Sequence, residues 1–396
     1  MNYEYEISIL RELYDKGRFD NEYYRAFIPG REAFESYEVF RKIPFMMKDS
    51  LRQYSAFERS VDPTNEIFGI FSSSGTTGAK TYYILSKEDK RIHEECVRSF
   101  FSELGLTEND LGAILAPVDT GIMAHTMMWQ YTTIGAGYVN CPQPIPENII
   151  ALVDDLPITA LSSRPDVLAS VDENAELVCK ARRSHVRILL PGGAFLSEGR
   201  RLYLECLWDA ECFNIFGMSE IFGPLAVECR RKDGQHYPAK YVMIEILDTE
   251  TLLPVEDSRP GFAVYTTLWE KGFPLVRYWS DDIIAVDHVP CACGSPMPRL
   301  RYHGRVSDMI KIGHRLFFPK DFEEMMFKSG YHLNYTAEYK AGAVDVRIET
   351  EAFDSLVPLI VMEEIDDFFG THCSIRHVRP RSLTLEGEHG KHFSMR

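Results

Sequence analysis

A loop rich in glycine and hydroxyl side chains occupies residues 71–80 and separates two short strand-like runs at 67–71 and 81–85. Its glycines allow turn conformations that are closed to other residues, while its hydroxyls and exposed N–H groups suit oxyanions. The spacing differs from the Walker pattern, which needs four residues between its glycines and a Gly-Lys-Ser/Thr ending. The loop is therefore predicted to hold phosphate, and an ordinary flexible connection is the alternative.

Helical and strand-like patterns alternate along the chain, which predicts an α/β fold. Ser86 followed by Asp89 forms a capping box, and it predicts a helix that ends near residue 104. Further elements are predicted from apolar runs and turn residues. They are strands at 111–117, 186–190, 212–216, 241–247 and 262–268, and a helix at 200–208.

A chain of 396 residues is long for one hydrophobic core, so at least two domains are expected. We predict a boundary near Gly304, with a large domain over 1–303 and a small domain over 304–396. The small domain should contain a helix at 319–328, a strand pair turning at 341–342, a helix at 355–369 and a strand at 374–378. This order resembles a split βαβ unit.

The charge balance is acidic, with 43 basic against 59 acidic residues and a net charge of −16. This argues against nucleic acid, or a membrane surface held by basic residues, as the main partner. The N-terminus is acidic, and nowhere do about 18 apolar residues run together, so we predict a cytoplasmic protein. The odd count of nine cysteines favours free thiols or metal ligands over a disulfide framework.

Four positions outside the loop offer groups that suit a nucleotide. The Phe216 ring suits stacking on a purine, Glu220 suits Mg²⁺ bridging phosphates, and Asp282 suits ribose hydroxyls. Lys391 follows Gly387 and Gly390 close to the C-terminus. Each position has an ordinary alternative. Phe216 could be a core ring and Glu220 a solvated carboxylate. Asp282 could cap a turn, and Lys391 could be simply exposed.

The order of these segments resembles the adenylate-forming superfamily, and within it the phenylacetate-CoA ligase-like branch. The resemblance covers nearly the whole chain, and six motifs in order are far more specific than any one of them. The motifs are Ile43-Pro-Phe-Met-Met-Lys48, Ser73-Ser-Gly-Thr-Thr-Gly78, Phe216-Gly-Met-Ser-Glu220, Thr266-Thr-Leu with Arg277-Tyr278, Gly304-Arg305 through Pro319, and Gly390-Lys391.

The resemblance implies a large N-terminal adenylate-forming domain with mixed sheets and helices, and a small mobile α+β C-terminal domain. It implies catalytic roles for Lys391, Glu220 and Thr76, and a hinge at Ser307 and Asp308. The residues implied to bind ATP are Ser73, Ser74, Gly75, Thr77, Gly78, Lys80, Gly193, Ala194, Phe216, Gly217, Ser219, Asp282 and Arg305.

The activity implied is that of an ATP-dependent, AMP-forming carboxylate-CoA ligase acting through an acyl-adenylate, with Mg²⁺ as cofactor and an aryl acid as the expected substrate. Two alternatives stay open: an enzyme that loads a carrier protein's phosphopantetheine, and a non-catalytic nucleotide-binding zinc protein. The last is motivated by Phe195, where relatives commonly have an acid, and by the hinge sequence Val-Ser-Asp. A homodimer is a further open alternative.

Four residues outside these motifs have the chemistry of a structural zinc site. Cys229, His236, Cys291 and Cys293 supply a Cys₃His set, with turn residues at Asp233-Gly234 and Gly294 beside them. Buried thiols and a surface histidine are the alternative. The predicted acyl pocket is mostly apolar and aromatic, although such stripes are also common in cores. Its members are His125, Met128, Trp129, Tyr131 and Ser162.

Overall fold

Two large sheets and a smaller one carry the architecture of a mixed α/β fold. The computed structural model describes residues 3–73, 80–119, 121–221, 223–329, 335–340, 342–349, 359–378, 383 and 393–395. Within these residues the sheets have five, seven and four strands, and two separate hairpins accompany them. The predicted α/β class is confirmed.

The five-stranded sheet is parallel throughout, and its three central strands are buried on both faces. Its strands, in spatial order, are Gly137–Asn140, Leu111–Ile114, Ala160–Ser163, Ile188–Pro191 and Glu211–Cys212. Neighbouring residues alternate between two hydrophobic clusters, so Ala113 packs into one and Ile114 into the other. Burial on both faces explains the short, mostly apolar runs that predicted the strands at 111–117 and 186–190.

The seven-stranded sheet is antiparallel. Its spatial order is Val242–Leu247, Gly261–Thr267, Tyr278–Asp287, Arg299–Arg305, Gln235–His236, Gly223–Glu228 and Ile215–Met218. The single strand predicted at 212–216 is wrong, because the chain changes sheets there. The Phe213 amide donates to the Leu189 carbonyl of the parallel sheet, whereas the Asn214 amide donates to the Glu228 carboxylate of the antiparallel one.

A hairpin of Ile67–Ser72 and Tyr82–Ser86 frames the predicted phosphate loop, and a long helix follows it directly. Ser86 caps that helix: its Oγ accepts from the Asp89 amide, and the Asp89 carboxylate accepts from the Ser86 amide. The predicted capping box is confirmed. The α-helices of the described residues are Glu4–Asp15, Glu22–Arg25, Tyr37–Phe40, Lys48–Arg52, Ala56–Arg59, Lys87–Leu104, Ile122–Thr133, Pro146–Asp155, Pro165–Ala169, Ala175–Arg183, Glu198–Trp208, Pro319–Lys328 and Leu359–Phe369.

The C-terminal residues form a four-stranded sheet with its own hydrophobic cluster. In spatial order its strands are Cys373–Val378, Ala343–Glu349, Tyr335–Lys340 and Phe393–Met395, and a hairpin of Ile310–Ile312 and Arg315–Phe317 precedes it. The helix predicted at 319–328 is confirmed, with Pro319 in its first turn. The helix that ends at Phe369 is followed by Gly370 with φ +68°, as predicted for a helix stop.

The helices Glu198–Trp208 and Pro319–Lys328 join the C-terminal residues to the parallel-sheet part of the chain. Arg200 and Glu323 form a buried ion pair between them at 2.8 Å, and the Arg200 guanidinium lies over the Phe327 ring. The domain limits at 303 and 304 stay a prediction. No helix in the described parts of the chain combines the length and apolar character needed to cross a lipid bilayer.

Candidate functional site

Glu220 is the buried centre of the candidate site. It follows the strand Ile215–Met218, and its Oε1 accepts hydrogen bonds from the hydroxyls of Tyr83 at 3.0 Å and Tyr278 at 3.1 Å. Burial, and after it the Glu220 charge, raises the pKa of both phenols, so each keeps the proton that it donates. The Nζ of Lys48 lies 3.6 Å from the same oxygen. The two tyrosines and Lys48 are not among the predicted site residues.

A fully buried lysine fixes the backbone next to Glu220. Lys271 Nζ donates to the Ile221 carbonyl at 2.7 Å and lies 3.8 Å from the Asp89 carboxylate. Asp89 also accepts from the Trp269 indole at 2.7 Å. A buried carboxylate with several donors holds these donors in one geometry. Asp89 thus fixes Lys271, and Lys271 fixes the backbone at Ile221, next to Glu220.

Asp282 and Arg305 face each other across neighbouring strands. The Arg305 Nε lies 3.5 Å from Asp282 Oδ1, and this buried oxygen accepts no hydrogen bond from the residues that the structure describes. Burial raises the pKa of Asp282 to about 6, although Arg305 opposes the shift. A buried acceptor of this kind suits a ligand hydroxyl.

The predicted adenine-binding residues lie on two adjoining segments. Gly192 pairs with Ile215 in a parallel bridge, which brings Gly193 and Ala194 beside Phe216. The Phe216 ring lies 5.5 Å from the ring of Tyr302 and is half-buried. Gly217 and Ser219 follow on the same strand end. A Cβ at Gly217 would lie 2.4 Å from the Gly223 carbonyl oxygen, so the close strand approach requires glycine there.

Residues 74–79 of the phosphate loop lie outside the described residues, and with them the predicted site residues Ser74, Gly75, Thr76, Thr77 and Gly78. Lys391 also lies outside the described residues. At the edges of the loop Ser73 is buried, and its amide donates to the Thr81 carbonyl at 3.0 Å, while Lys80 is exposed. Ser73 Oγ makes no hydrogen bond with a described residue. The hairpin therefore presents the loop from fixed ends.

The predicted acyl-pocket residues fall into two groups. Four of them lie on different faces of the helix Ile122–Thr133, and Ser162 lies on the strand Ala160–Ser163. Trp129 and His125 pack against Phe71, with ring centroids 5.3 and 5.2 Å away. Tyr131, by contrast, is fully buried and shares a 2.8 Å hydrogen bond with Ser162. Met128 packs at the edge of the main core. The structure thus joins His125 and Trp129 in one cluster and places Tyr131 and Ser162 in the core.

The predicted hinge residues lie just after the strand Arg299–Arg305. Ser307 and Asp308 belong to a short 3-10 helix, and the Ser307 amide donates to Asp281 Oδ2 at 3.4 Å. The Ser307 hydroxyl donates to Asp308 Oδ1 at 3.1 Å. A hinge role for these residues stays a prediction.

Four predicted ligand residues meet in one cluster away from Glu220. The ligand atoms of Cys229, His236, Cys291 and Cys293 all lie within 4.8 Å of one another. The Cys229 and Cys291 sulfurs are 3.9 Å apart, and His236 Nε2 is 3.3 Å from the Cys293 sulfur. His236 Nδ1 bonds to the Met297 carbonyl at 2.8 Å, which leaves Nε2 facing the sulfurs. The predicted turns are also present, with φ +83° at Gly234 and +89° at Gly294.

Comparison with known proteins finds distant sequence similarity to phenylacetate-coenzyme A ligases and a shared fold with solved acid-CoA ligases. No protein-family profile matches the chain. A phenylacetate-coenzyme A ligase of Thermus thermophilus is 25% identical over 311 residues, which are 74% of this chain and 67% of the relative. A crystal structure of 2-hydroxyisobutyryl-CoA ligase in the postadenylation state matches with TM-score 0.81 and 18% identity over 95% of this chain and 86% of the other. An anthranilate CoA ligase structure with anthranoyl-AMP matches with TM-score 0.58 and 15% identity over 79% and 62%.

Proposed function

We propose that this chain, a distant homologue of phenylacetate-CoA ligases with the fold of adenylate-forming CoA ligases, is an ATP-dependent carboxylate-CoA ligase. One observation carries the proposal. The two carboxylates implied to bind cation and ribose, Glu220 and Asp282, are both buried, and the strand Tyr278–Asp287 links them because it carries Asp282 and also Tyr278, which donates to Glu220. Among the described residues, each of them has a cationic partner no closer than 3.5 Å, and two buried carboxylates held so loosely at one place indicate a functional site.

The donor set fits a magnesium nucleotide. All three contacts of Glu220 with described residues fall on Oε1, so Oε2 is the oxygen for a cation that prefers carboxylate and phosphate ligands. The Mg²⁺ would neutralise phosphate charge when bound. Asp282 would accept ribose hydroxyls, Phe216 would frame the adenine, and Ser73 with Lys80 would hold the loop's side of the phosphates.

The proposed reaction has two steps. The acid's carboxylate oxygen attacks the α-phosphorus of ATP, an acyl-adenylate forms and pyrophosphate leaves. The thiol of CoA then attacks the acyl carbon and AMP leaves. Both steps need placement more than covalent help from the protein, and Lys391 is proposed to offset the repulsion between carboxylate and α-phosphate. A C-terminal unit turning at Ser307 and Asp308 would withdraw that lysine between the steps.

We propose an aryl acid as the substrate, since the cluster of Phe71, His125 and Trp129 presents aromatic faces beside the phosphate hairpin. We also propose structural zinc at the Cys₃His cluster. Zn–S bonds of about 2.3 Å in a tetrahedron put sulfurs about 3.8 Å apart, close to the separation of Cys229 and Cys291. A closed four-ligand shell would serve the fold and leave no position for water. A cytoplasmic location stays a prediction of the sequence.

The test is pyrophosphate release from ATP with a panel of aryl and aliphatic acids, each with and without CoA. Acid-dependent release with thioester formed only when CoA is present is the expected result. Adenylation that ignores CoA would instead support loading of a carrier protein. Nucleotide binding without release for any acid would refute the enzyme and support the non-catalytic alternative.

A further inference from the structure

A half-exposed lysine stands at the carboxylate that the proposed function assigns to the cation. Lys48 begins the short helix Lys48–Arg52, and its Nζ lies 3.6 Å from Glu220 Oε1. The Lys48 side chain is 46% exposed, whereas that of Glu220 is 8% exposed. The lysine therefore caps the carboxylate from the solvent side, where a nucleotide would have to approach.

The backbone before Lys48 is attached to the site's own strand. The Met46 amide donates to the Arg277 carbonyl, and the Trp279 amide donates to the Met46 carbonyl, each at 3.0 Å. The Arg277 guanidinium in turn donates to the carbonyls of Arg41 and, at 2.8 Å, of Ile43. Lys48 follows two residues after this pairing, so its position is set by the strand that carries Tyr278 and Asp282.

The outer phosphates carry several negative charges, so a second cation besides Lys80 would stabilise them. The chain carries a net charge of −16, and the nucleotide would arrive beside two buried carboxylates. Arg305 already faces Asp282, and Lys271 is held by the Ile221 carbonyl and Asp89. The loop from 74 to 79 contains neither lysine nor arginine. Lys48 is exposed enough to exchange its partner, and a lysine ammonium can turn between acceptors.

We propose that Lys48 binds the β- and γ-phosphates of ATP, exchanging Glu220 for phosphate oxygens, and thereby steadies the pyrophosphate leaving group. The inference rests on the proposed function, because it assumes that ATP is the nucleotide bound at Glu220. Glu220 would be released to the cation as Lys48 moves to the phosphates. Charge-assisted hydrogen bonds to phosphate are stronger than hydrogen bonds between neutral groups. Removal of the Lys48 ammonium should therefore lower the affinity for the nucleotide enough to be measured without turnover.

The experiment is calorimetric titration of the protein with α,β-methylene-ATP in the presence of Mg²⁺, and separately with AMP. The analogue cannot form the adenylate because a carbon atom joins its α- and β-phosphorus, so binding is measured without reaction. Lys48→Met should weaken binding of the ATP analogue by about ten- to a hundredfold and leave AMP binding unchanged. Lys48→Gln should reproduce the loss, and Lys48→Arg should restore most of the affinity. Lys42→Met removes an exposed charge from the same segment and should bind as the wild type does.

The same titrations separate the ways in which the inference can fail. Equal binding of the analogue by wild type and Lys48→Met would overturn it and leave the proposed function standing. Failure of the wild type to bind the analogue would overturn both. A loss that disappears in a Glu220→Gln background would also overturn it, since Lys48 would then act only through Glu220. Persistence of the loss in that background is the expected result.

Discussion

Arg277→Met should destabilise the protein strongly, because it leaves a carboxylate buried without its cation. Glu245 is fully buried, and its side chain accepts from the Arg277 Nε and from the Tyr37 hydroxyl, both at 3.1 Å. Breaking one side of a buried pair costs about 3–5 kcal/mol, and each buried carbonyl that loses its donor costs about 1 kcal/mol or more. Since Arg277 also donates to the carbonyls of Arg41 and Ile43, we expect a total of about 5–7 kcal/mol.

The effect should depend on pH in a defined direction. Burial raises the pKa of Glu245, and Arg277 is the main group that opposes the rise. In the variant the folded-state pKa lies higher still. An acid whose folded pKa is raised stabilises the fold at low pH, and that stability is lost as the pH rises through the folded pKa. The penalty of Arg277→Met should therefore be smaller in mild acid than at neutral pH.

Equilibrium urea unfolding followed by tryptophan fluorescence measures both effects, and Glu245→Gln supplies the matched partner. The double variant Arg277→Met with Glu245→Gln should recover at least about 1.5 kcal/mol relative to Arg277→Met, because the stranded charge is gone. It should also lose the added pH dependence. A single variant within about 1 kcal/mol of wild type, or a double variant no more stable than the single, would refute the reasoning.

Three further predictions concern other parts of the molecule. Because burial raises the pKa of Asp282 to about 6, its carboxylate becomes charged, and accepts ribose hydroxyls better, as the pH rises from about 5 to about 8. Adenosine binding measured by calorimetry should strengthen over this range. Asp282→Asn should bind weakly at either pH, and a variant whose binding still depends on pH would contradict this. Cys291→Ser should lower zinc content by mass spectrometry and the thermal midpoint by several degrees, whereas the exposed Cys179→Ser should change neither. Glu323→Ala should cost about 3 kcal/mol in urea unfolding because it strands Arg200, while Asp321→Asn on the exposed side of that helix should cost less than about 0.5 kcal/mol.

Local signals in the sequence were sufficient for elements whose limits are set by neighbouring residues. The capping box at Ser86 and the proline of the helix Pro319–Lys328 fixed helix starts, and Gly370 fixed a stop. The strand predicted at 212–216 failed because its division depends on which sheet accepts each amide. Phe213 bonds to Leu189, which precedes it in the chain on a strand of the parallel sheet, and Asn214 bonds to Glu228, which lies on the antiparallel strand that follows. Neither partner can be identified from the residues around 212–216.

The candidate site shows the same limit. Glu220 was identified from its motif, but its donors Tyr83 and Tyr278 lie 137 and 58 residues away, and no local pattern links them. Lys48 lies in the motif Ile43-Pro-Phe-Met-Met-Lys48, but no local pattern predicts its contact with Glu220. Proximity in sequence groups Tyr131 with Trp129, but side chains two residues apart on a helix point to different faces. The Cys₃His cluster was predictable because few residue types bind soft metals.

The hairpin of Ile67–Ser72 and Tyr82–Ser86 has a consequence for how an enzyme of this kind would tell acids apart. Phe71, which packs against His125 and Trp129, is paired directly with Tyr83, which donates to Glu220. Directly opposed residues touch across a strand pair. A substrate acid that fits badly against Phe71 would therefore shift Tyr83 and, through its hydrogen bond, misalign the Glu220 carboxylate. Discrimination among acids would then be expressed in turnover number more than in apparent affinity.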